Sequence, residues 1–210
     1  MQKDLSTSEL LLALVRNFPQ ERISIQNLMD GLGERSFGFV LLLFGLLSAI
    51  AVVPGLATVT AIPLLFFGLQ MMGGYRTPWL PKFIANRSFV KRDLEATIEG
   101  GVWFLRWVES VCRPRLLFMT GAVGERVLGL LVFILALVIA LPGPGTNFLP
   151  GLAIALMAVA IIQRDGLILF LGIVGSAIAL YVAWLGLALV IEYLWPPVRN
   201  LIFELWDRIT

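Results

Sequence analysis

Two short charged strings, Gly33-Glu34-Arg35-x-x-Gly38 and Gly124-Glu125-Arg126-x-x-Gly129, recur at an offset of 91 in a chain otherwise poor in charge. Each opens a run without a single charged residue, 36–75 after the first and 127–163 after the second. A guanidinium offers phosphate or carboxylate a fork of donors, and a neighbouring carboxylate accepts from ammonium or hydroxyl groups. Glu34, Arg35, Glu125 and Arg126, brought together across the two copies, are therefore a candidate site for an anionic or zwitterionic substrate. The alternative is that all four are interface anchors whose side chains snorkel to water from the ends of membrane helices.

A second set of candidates lies inside the uncharged runs, at VVPGLATVT and LPGPGTNFLP. Proline removes an amide donor and glycine loosens the backbone. Pro54, Gly55, Pro142, Gly143, Pro144 and Gly145 should therefore leave carbonyls and amides unpaired at helix ends. The helix expected after Pro144 points free N–H groups and a partial positive charge at the turn. Thr58, Thr60, Thr146 and Asn147 add side-chain donors and acceptors, while Pro63 and Pro150 are read as opening the returning helices. Lipid holds no water for free backbone groups, so such breaks belong inside protein or beside a cavity. Re-entrant hairpins would gather both turns into a polar pocket; fully spanning ones would make them periplasmic turns. Arms of about 18 residues just reach across a core of about 30 Å, so length leaves both open. Gln70, within the first apolar run, either contacts substrate or hydrogen-bonds a neighbouring helix.

The missing residue types narrow the chemistry. The chain has no histidine and a single cysteine, Cys112. This removes Ser-His-Asp and Cys-His catalysis, His-ligated metal sites, CxxC spacing and an intrachain disulfide. The uncharged runs contain no general acid or base, and only Glu34, Glu125 and Asp165 stand at their boundaries. The expectation is a protein that is not an enzyme, with no catalytic residue, metal or cofactor. No basic stripe with interleaved aromatics supports nucleic-acid binding.

The elements that must position these groups are membrane helices. Of 210 residues, 59% are hydrophobic and 14% charged, where a soluble domain carries about 25% charged residues. The fold class expected is an all-α integral membrane protein: two Pro-Gly-broken helical hairpins, a C-terminal transmembrane helix and amphipathic interfacial helices. The segments divide as an amphipathic N-terminal part over 1–32, a first hairpin over 33–75 and a basic amphipathic loop over 76–123. A second hairpin follows over 124–163, then a transmembrane segment over 164–194 and an interfacial helix over 195–210. The N-terminus lacks the features of a signal peptide and reads as mature protein. Short helices are expected over 5–17, with Ser6 or Ser8 as N-cap, and over IQNLMDGL, with Ser24 as N-cap. Residues 76–126 hold nine Lys or Arg against five acids, with Trp79, Trp103 and Trp107 among them. The positive-inside rule places this loop, and with it the N-terminus, in the cytoplasm. Arg164 and Asp165 read as a topological stop with a helix N-cap. Gly45, Gly172 and Gly175 read as points of close helix packing.

The ordered landmarks, G-E-R-x-x-G, then Pro-Gly, then a second proline, point to an internal repeat. Broken hydrophobic segments at corresponding places point in turn to a transporter-like site at the repeat interface. Charge places both copies in the same orientation. GERSFG, the Pro-Gly break, Gln70 ahead of GGYRTPWLP, RPRL at 113–116, and LPGPGTNFLP with QRDG resemble the ExoD family of bacterial inner-membrane proteins. The similarity runs from about Ile23 through the third apolar run. The resemblance implies a multi-pass inner-membrane protein with a role in exopolysaccharide synthesis, while leaving its biochemical activity unassigned. The reading that follows is a small transporter moving a small solute or a lipid-linked sugar within the lipid bilayer. A non-transporting accessory or scaffold protein of a polysaccharide synthesis complex is the alternative, and homo-oligomerisation is open.

Overall fold

In the computed structural model the described residues are 6–50, 56–112, 121–141, 147–189 and 192. The chain runs α1 (Thr7–Arg16), β1 (Arg22–Ser24), α2 (Ile25–Leu32), α3 (Arg35–Ile50), α4 (Leu56–Met72) and α5 (Lys82–Ala85). It continues through β2 (Ser88–Val90), α6 (Lys91–Val111), α7 (Ala122–Ala140), α8 (Phe148–Gln163) and α9 (Gly166–Leu189). Helix dominates. Among the described residues the exception is one antiparallel ribbon in which Arg22 faces Val90 and Ser24 faces Ser88. The all-helical expectation omitted this ribbon, because three-residue strands are too short to show alternation.

Five helices, α3, α4, α7, α8 and α9, carry no charged residue apart from Arg35 in α3 and Glu125 and Arg126 in α7. Val123–Ala140 and Gly166–Leu189 are long and apolar enough to cross a membrane, whereas α3, most of α4 and α8 are shorter apolar helices. At 1.5 Å per residue α9 is about 36 Å long and α3 about 24 Å. The α9 helix runs unbroken past Tyr181 and Trp184, whose rings stack 6.2 Å apart on its outer side.

Packing in this bundle pairs helices from before the 76–121 segment with helices from after it. Helix α3 lies antiparallel against α8, and α4 antiparallel against α7; these are the two most extensive helix contacts. Glycines let the backbones touch. A Cβ on Gly151 would fall 2.7 Å from both Ala49 N and Gly45 O, and one on Gly129 2.7 Å from Met72 N. Helices α3 and α4 are antiparallel, with Ser48 and Thr60 hydroxyls 2.7 Å apart and the Phe44 and Phe67 rings 6.2 Å apart. Because α4 opposes both α3 and α7, the latter two run in the same direction. Leu41, Leu64, Val132, Leu135, Ile154 and Met157 fill the centre and are fully buried. Helix α9 covers the outside of α8, where Gly172 sits against Met157.

A polar layer closes one end. The Ser6 side chain caps α1 in a reciprocal box with Glu9, and Ser24 caps α2 by accepting from Asn27 N at 3.1 Å. Helix α6 lies antiparallel to α1 and caps both of its ends. The Glu109 carboxylate accepts from Ser8 N at 2.7 Å and Ser8 Oγ at 2.8 Å. Lys91 Nζ donates to the Arg16 carbonyl at 2.7 Å and the Phe18 carbonyl at 3.0 Å. An acid at the positive end and an ammonium at the negative end both suit the helix dipole. The free cysteine, Cys112, ends α6 in a buried position, where burial pushes its thiol up to about 11.

One expectation about the helix breaks needs correction. Pro63 does not open the returning helix; α4 begins at Leu56 and Pro63 lies inside it. Its missing N–H leaves the Val59 carbonyl without the usual i to i−4 partner. Pro150 does fall in the first turn of α8, where the absent donor has no partner to lose. Pro54, Gly55, Pro142, Gly143, Pro144, Gly145 and Thr146 lie outside the described residues.

Candidate functional site

Two turns build the polar end of the bundle. Gly33 closes α2 with φ +57° and ψ −131°, a backbone region essentially reserved for glycine. The turn it makes sets Glu34 and Arg35 at the start of α3, and Ser36 Oγ locks it by donating to the Gly33 carbonyl. The second turn joins α8 to α9. Arg164 adopts a left-handed conformation with φ 53°, and Asp165 Oδ1 caps α9 by accepting from Leu167 N at 2.9 Å. This geometry aims Arg164 back across the bundle, where Nη2 meets Glu34 Oε2 at 3.0 Å.

Glu34, Arg35, Glu125 and Arg164 line one small cavity of about 10 Å³, roughly the room one water needs. Leu128 and Ile161 form its apolar base. The half-buried Glu125 is repelled by the Glu34 carboxylate and attracted by Arg164. Arg35 feels Arg164 as a like charge and Glu109 as an opposite one. Arg35 Nη1 also donates to Thr7 Oγ1 at 3.2 Å, and Thr7 in turn donates to the Ile162 carbonyl at 3.4 Å. The capped N-terminus of α1 is thereby tied to the charged mouth. Gln163 Nε2, in the same corner, is buried with no hydrogen-bond partner among the described residues.

A wider cleft of about 470 Å³ opens beside this cavity, bounded by Glu34, Arg35, Asp30, Arg76, Thr77 and Arg164. The mouth as a whole is a mixed field of guanidinium and carboxylate groups. It can hold a ligand carrying a negative group together with hydroxyl or ammonium donors.

The described sequence candidates separate into four groups. Glu34, Arg35 and Glu125 come together. Arg126 is exposed and lies over the backbone of Gly74, where an added Cβ would meet its Nη2 at 3.1 Å, and it does not line either space. Gln70 is buried and both ends of its amide are engaged. Its Nε2 donates to the Trp79 carbonyl at 3.1 Å, and its Oε1 accepts from Trp79 N at 2.6 Å. It pins the loop after α4, a hydrogen-bonding use like the one weighed from sequence but made to a loop. Thr60 is buried against Ser48, Thr58 is exposed on α4, and Asn147 stands at the start of α8 without a side-chain cap bond there. None of these three lines the mouth. Sequence reasoning missed Arg164 as a member of the site, having read it as a topological stop. Its position between two apolar helices, on the side of the bundle that carries both G-E-R strings, was the available signal. Arg76 was also missed, since it sits in a loop read for its net charge and its tryptophans and not residue by residue.

Comparison with known proteins agrees along most of the chain. The family model for ExoD, described as exopolysaccharide synthesis, matches residues 7–185. Protein ExoD of Rhizobium meliloti (strain 1021) is 34% identical over 167 residues, covering 77% of this chain and 69% of that protein. An uncharacterized protein of Synechocystis sp. is 28% identical over 166 residues, covering 77% of this chain and 78% of that one. No solved structure matches. With the family model spanning the N-terminal cap, both G-E-R strings and nearly all of α9, the chain belongs to the ExoD family of exopolysaccharide synthesis.

Proposed function

We propose that the protein is a multi-pass, non-enzymatic protein of the bacterial inner membrane that serves exopolysaccharide production by moving a charged small solute or lipid-linked species. The observation that carries this reading is the convergence of Glu34, Arg35, Glu125 and Arg164 on one mouth at the end of an apolar bundle. Glu34 and Arg35 of the first string and Glu125 of the second, 91 residues on from Glu34, line it together, which supports a site built at a repeat interface. Exposed Leu43, Ile50, Val59, Ile62, Phe170 and Ile178 supply the apolar exterior that lipid demands. The basic loop between the hairpins puts the mouth on the cytoplasmic side. A centre filled by Leu41, Val132 and Ile154 holds no standing channel among the described residues. Movement therefore needs the two crossed helix pairs to shift against each other.

The test is reconstitution. In vesicles, transbilayer movement of a fluorescent polyprenyl phosphate is read by dithionite quenching, and uptake of labelled glucose 1-phosphate by filtration. The parent protein should speed one of these. Arg164→Ala should slow it by at least about tenfold, the loss expected when one charge-assisted contact disappears. Movement no faster than in empty vesicles, or equal rates in the variant, would contradict the reading. A second reading, an accessory of a synthesis complex, draws on the exposed Phe83 and Trp103 of the polar layer. It predicts partner capture that is lost when those aromatics are replaced and kept when Arg164 is.

A further inference from the structure

We infer that the wider cleft beside the mouth is a recognition site for a phosphorylated sugar headgroup, an assignment that rests on the proposed function and names its ligand class. The cleft has a volume of about 470 Å³, within the range of about 300–1,000 Å³ that small-molecule sites occupy. Four separate pieces of chain wall it: α1, the α2–α3 turn, the loop after α4 and the α8–α9 turn. A space assembled from such distant segments is shaped by the whole fold.

The charges on its walls are divided. Arg164 is paired with Glu34, and Arg35 is turned toward Thr7. Arg76 is exposed, faces the cleft and makes no ion pair among the described residues. It is therefore the cation best placed to receive an incoming phosphate, for which its planar fork of donors is suited. On another wall Asp30 Oδ1 accepts from Gln26 Nε2 at 2.9 Å. Asp30 and Thr77 line the same space as Arg76. Carboxylates in a phosphate site cost affinity for a bare phosphate or diphosphate, because like charges repel. They gain it for a ligand whose phosphate is joined to hydroxyls, since a carboxylate is the strongest acceptor a hydroxyl can find. A neutral sugar would leave Arg76 unused. A phosphate joined to hydroxyl donors uses both kinds of group in the cleft, and for a protein of exopolysaccharide production a glycosyl phosphate is the simplest such ligand. It can arrive free in the cytoplasm or as the head of a polyprenyl-linked sugar.

The full-length chain in nanodiscs, titrated calorimetrically with glucose 1-phosphate, inorganic phosphate and glucose, tests this directly. Glucose 1-phosphate should bind more tightly than phosphate, and glucose should give no measurable heat. Arg76→Ala, a change on an exposed side chain, should weaken glucose 1-phosphate by about tenfold. Asp30→Asn should weaken glucose 1-phosphate while leaving phosphate unweakened, and Lys82→Ala, which removes the same charge outside the cleft, should change neither. Discs doped with polyprenyl-phosphoglucose separate the two sources: competition assigns the site to the lipid-linked form, and its absence assigns the site to the soluble form. No binding of glucose 1-phosphate and no binding of the polyprenyl form would overturn the assignment. So would binding that both cleft variants leave within about twofold. Binding without vesicle flux removes the transport reading and keeps the site; flux without binding removes the site and keeps the transport reading.

Discussion

Gly129→Val should destabilise the protein by about 3 kcal/mol, the upper range for overpacking a closed contact. The cause is local and geometric. A Cβ at Gly129 would lie 2.7 Å from Met71 Cβ and Met72 N and 2.8 Å from Gly68 O. Two of those atoms belong to the α4 backbone, which cannot rotate aside as a side chain could. The helices must therefore separate along their length and lose the close packing that joins them. Gly151→Val should behave alike, because its Cβ would meet Ala49 N and Gly45 O at 2.7 Å. Gly100→Ala gives the opposite sign. Nothing lies within 4 Å of that position on α6, so removing glycine from a helix interior should stabilise by about 0.5–1 kcal/mol. Thermal unfolding of the purified protein in detergent reads all three. Equal midpoints for Gly129→Val and the parent would mean that α4 and α7 do not touch.

The second large effect is expected from Glu109→Ala, at about 2–3 kcal/mol. Ser8 is 2% exposed, and its N–H and hydroxyl both depend on the Glu109 carboxylate. Water cannot reach these donors readily once the acceptor is gone. Helix α1 also loses the negative charge at its positive end. Glu109→Gln keeps one acceptor oxygen and should cost roughly half as much. The consequence extends to the mouth, because α1 carries the Thr7 hydroxyl that holds Arg35. Hydrogen exchange should show α1 amides opening faster in Glu109→Ala, with α7 and α8 unchanged. Protection of α1 equal to that of the parent would contradict the capping role.

The sequence spoke most clearly where charge is rare. In a chain with so few charges, two copies of G-E-R-x-x-G stand out, and Glu34, Arg35 and Glu125 do face one another. The IQNLMDGL helix was legible to the residue, because its Ser24 cap and the Gly33 stop are both local signals. The five apolar helices were equally plain from length and composition. Their partners were not. Uniformly apolar helices show no buried stripe, so nothing in α3 announces that it packs on α8 more extensively than on α4. Pro63 was misplaced for a related reason: a lost amide ends a helix in water but is tolerated inside an apolar bundle. Arg126 matches Arg35 in the string, yet it rests over Gly74 while Arg164 takes the place at the cavity. Local pattern marks equivalent positions; it does not determine which of several arginines tertiary packing turns inward.

Single cysteines at positions 34 and 125, introduced one at a time with Cys112→Ser, provide the most direct test of the central claim that both charged openings form one cytoplasmic mouth. A membrane-impermeant maleimide is applied to sealed vesicles of each orientation, and the labelled fraction is measured. Reaction of both cysteines from the cytoplasmic face alone is the predicted result. Reaction of the two from opposite faces, or of both from the outside, would contradict it.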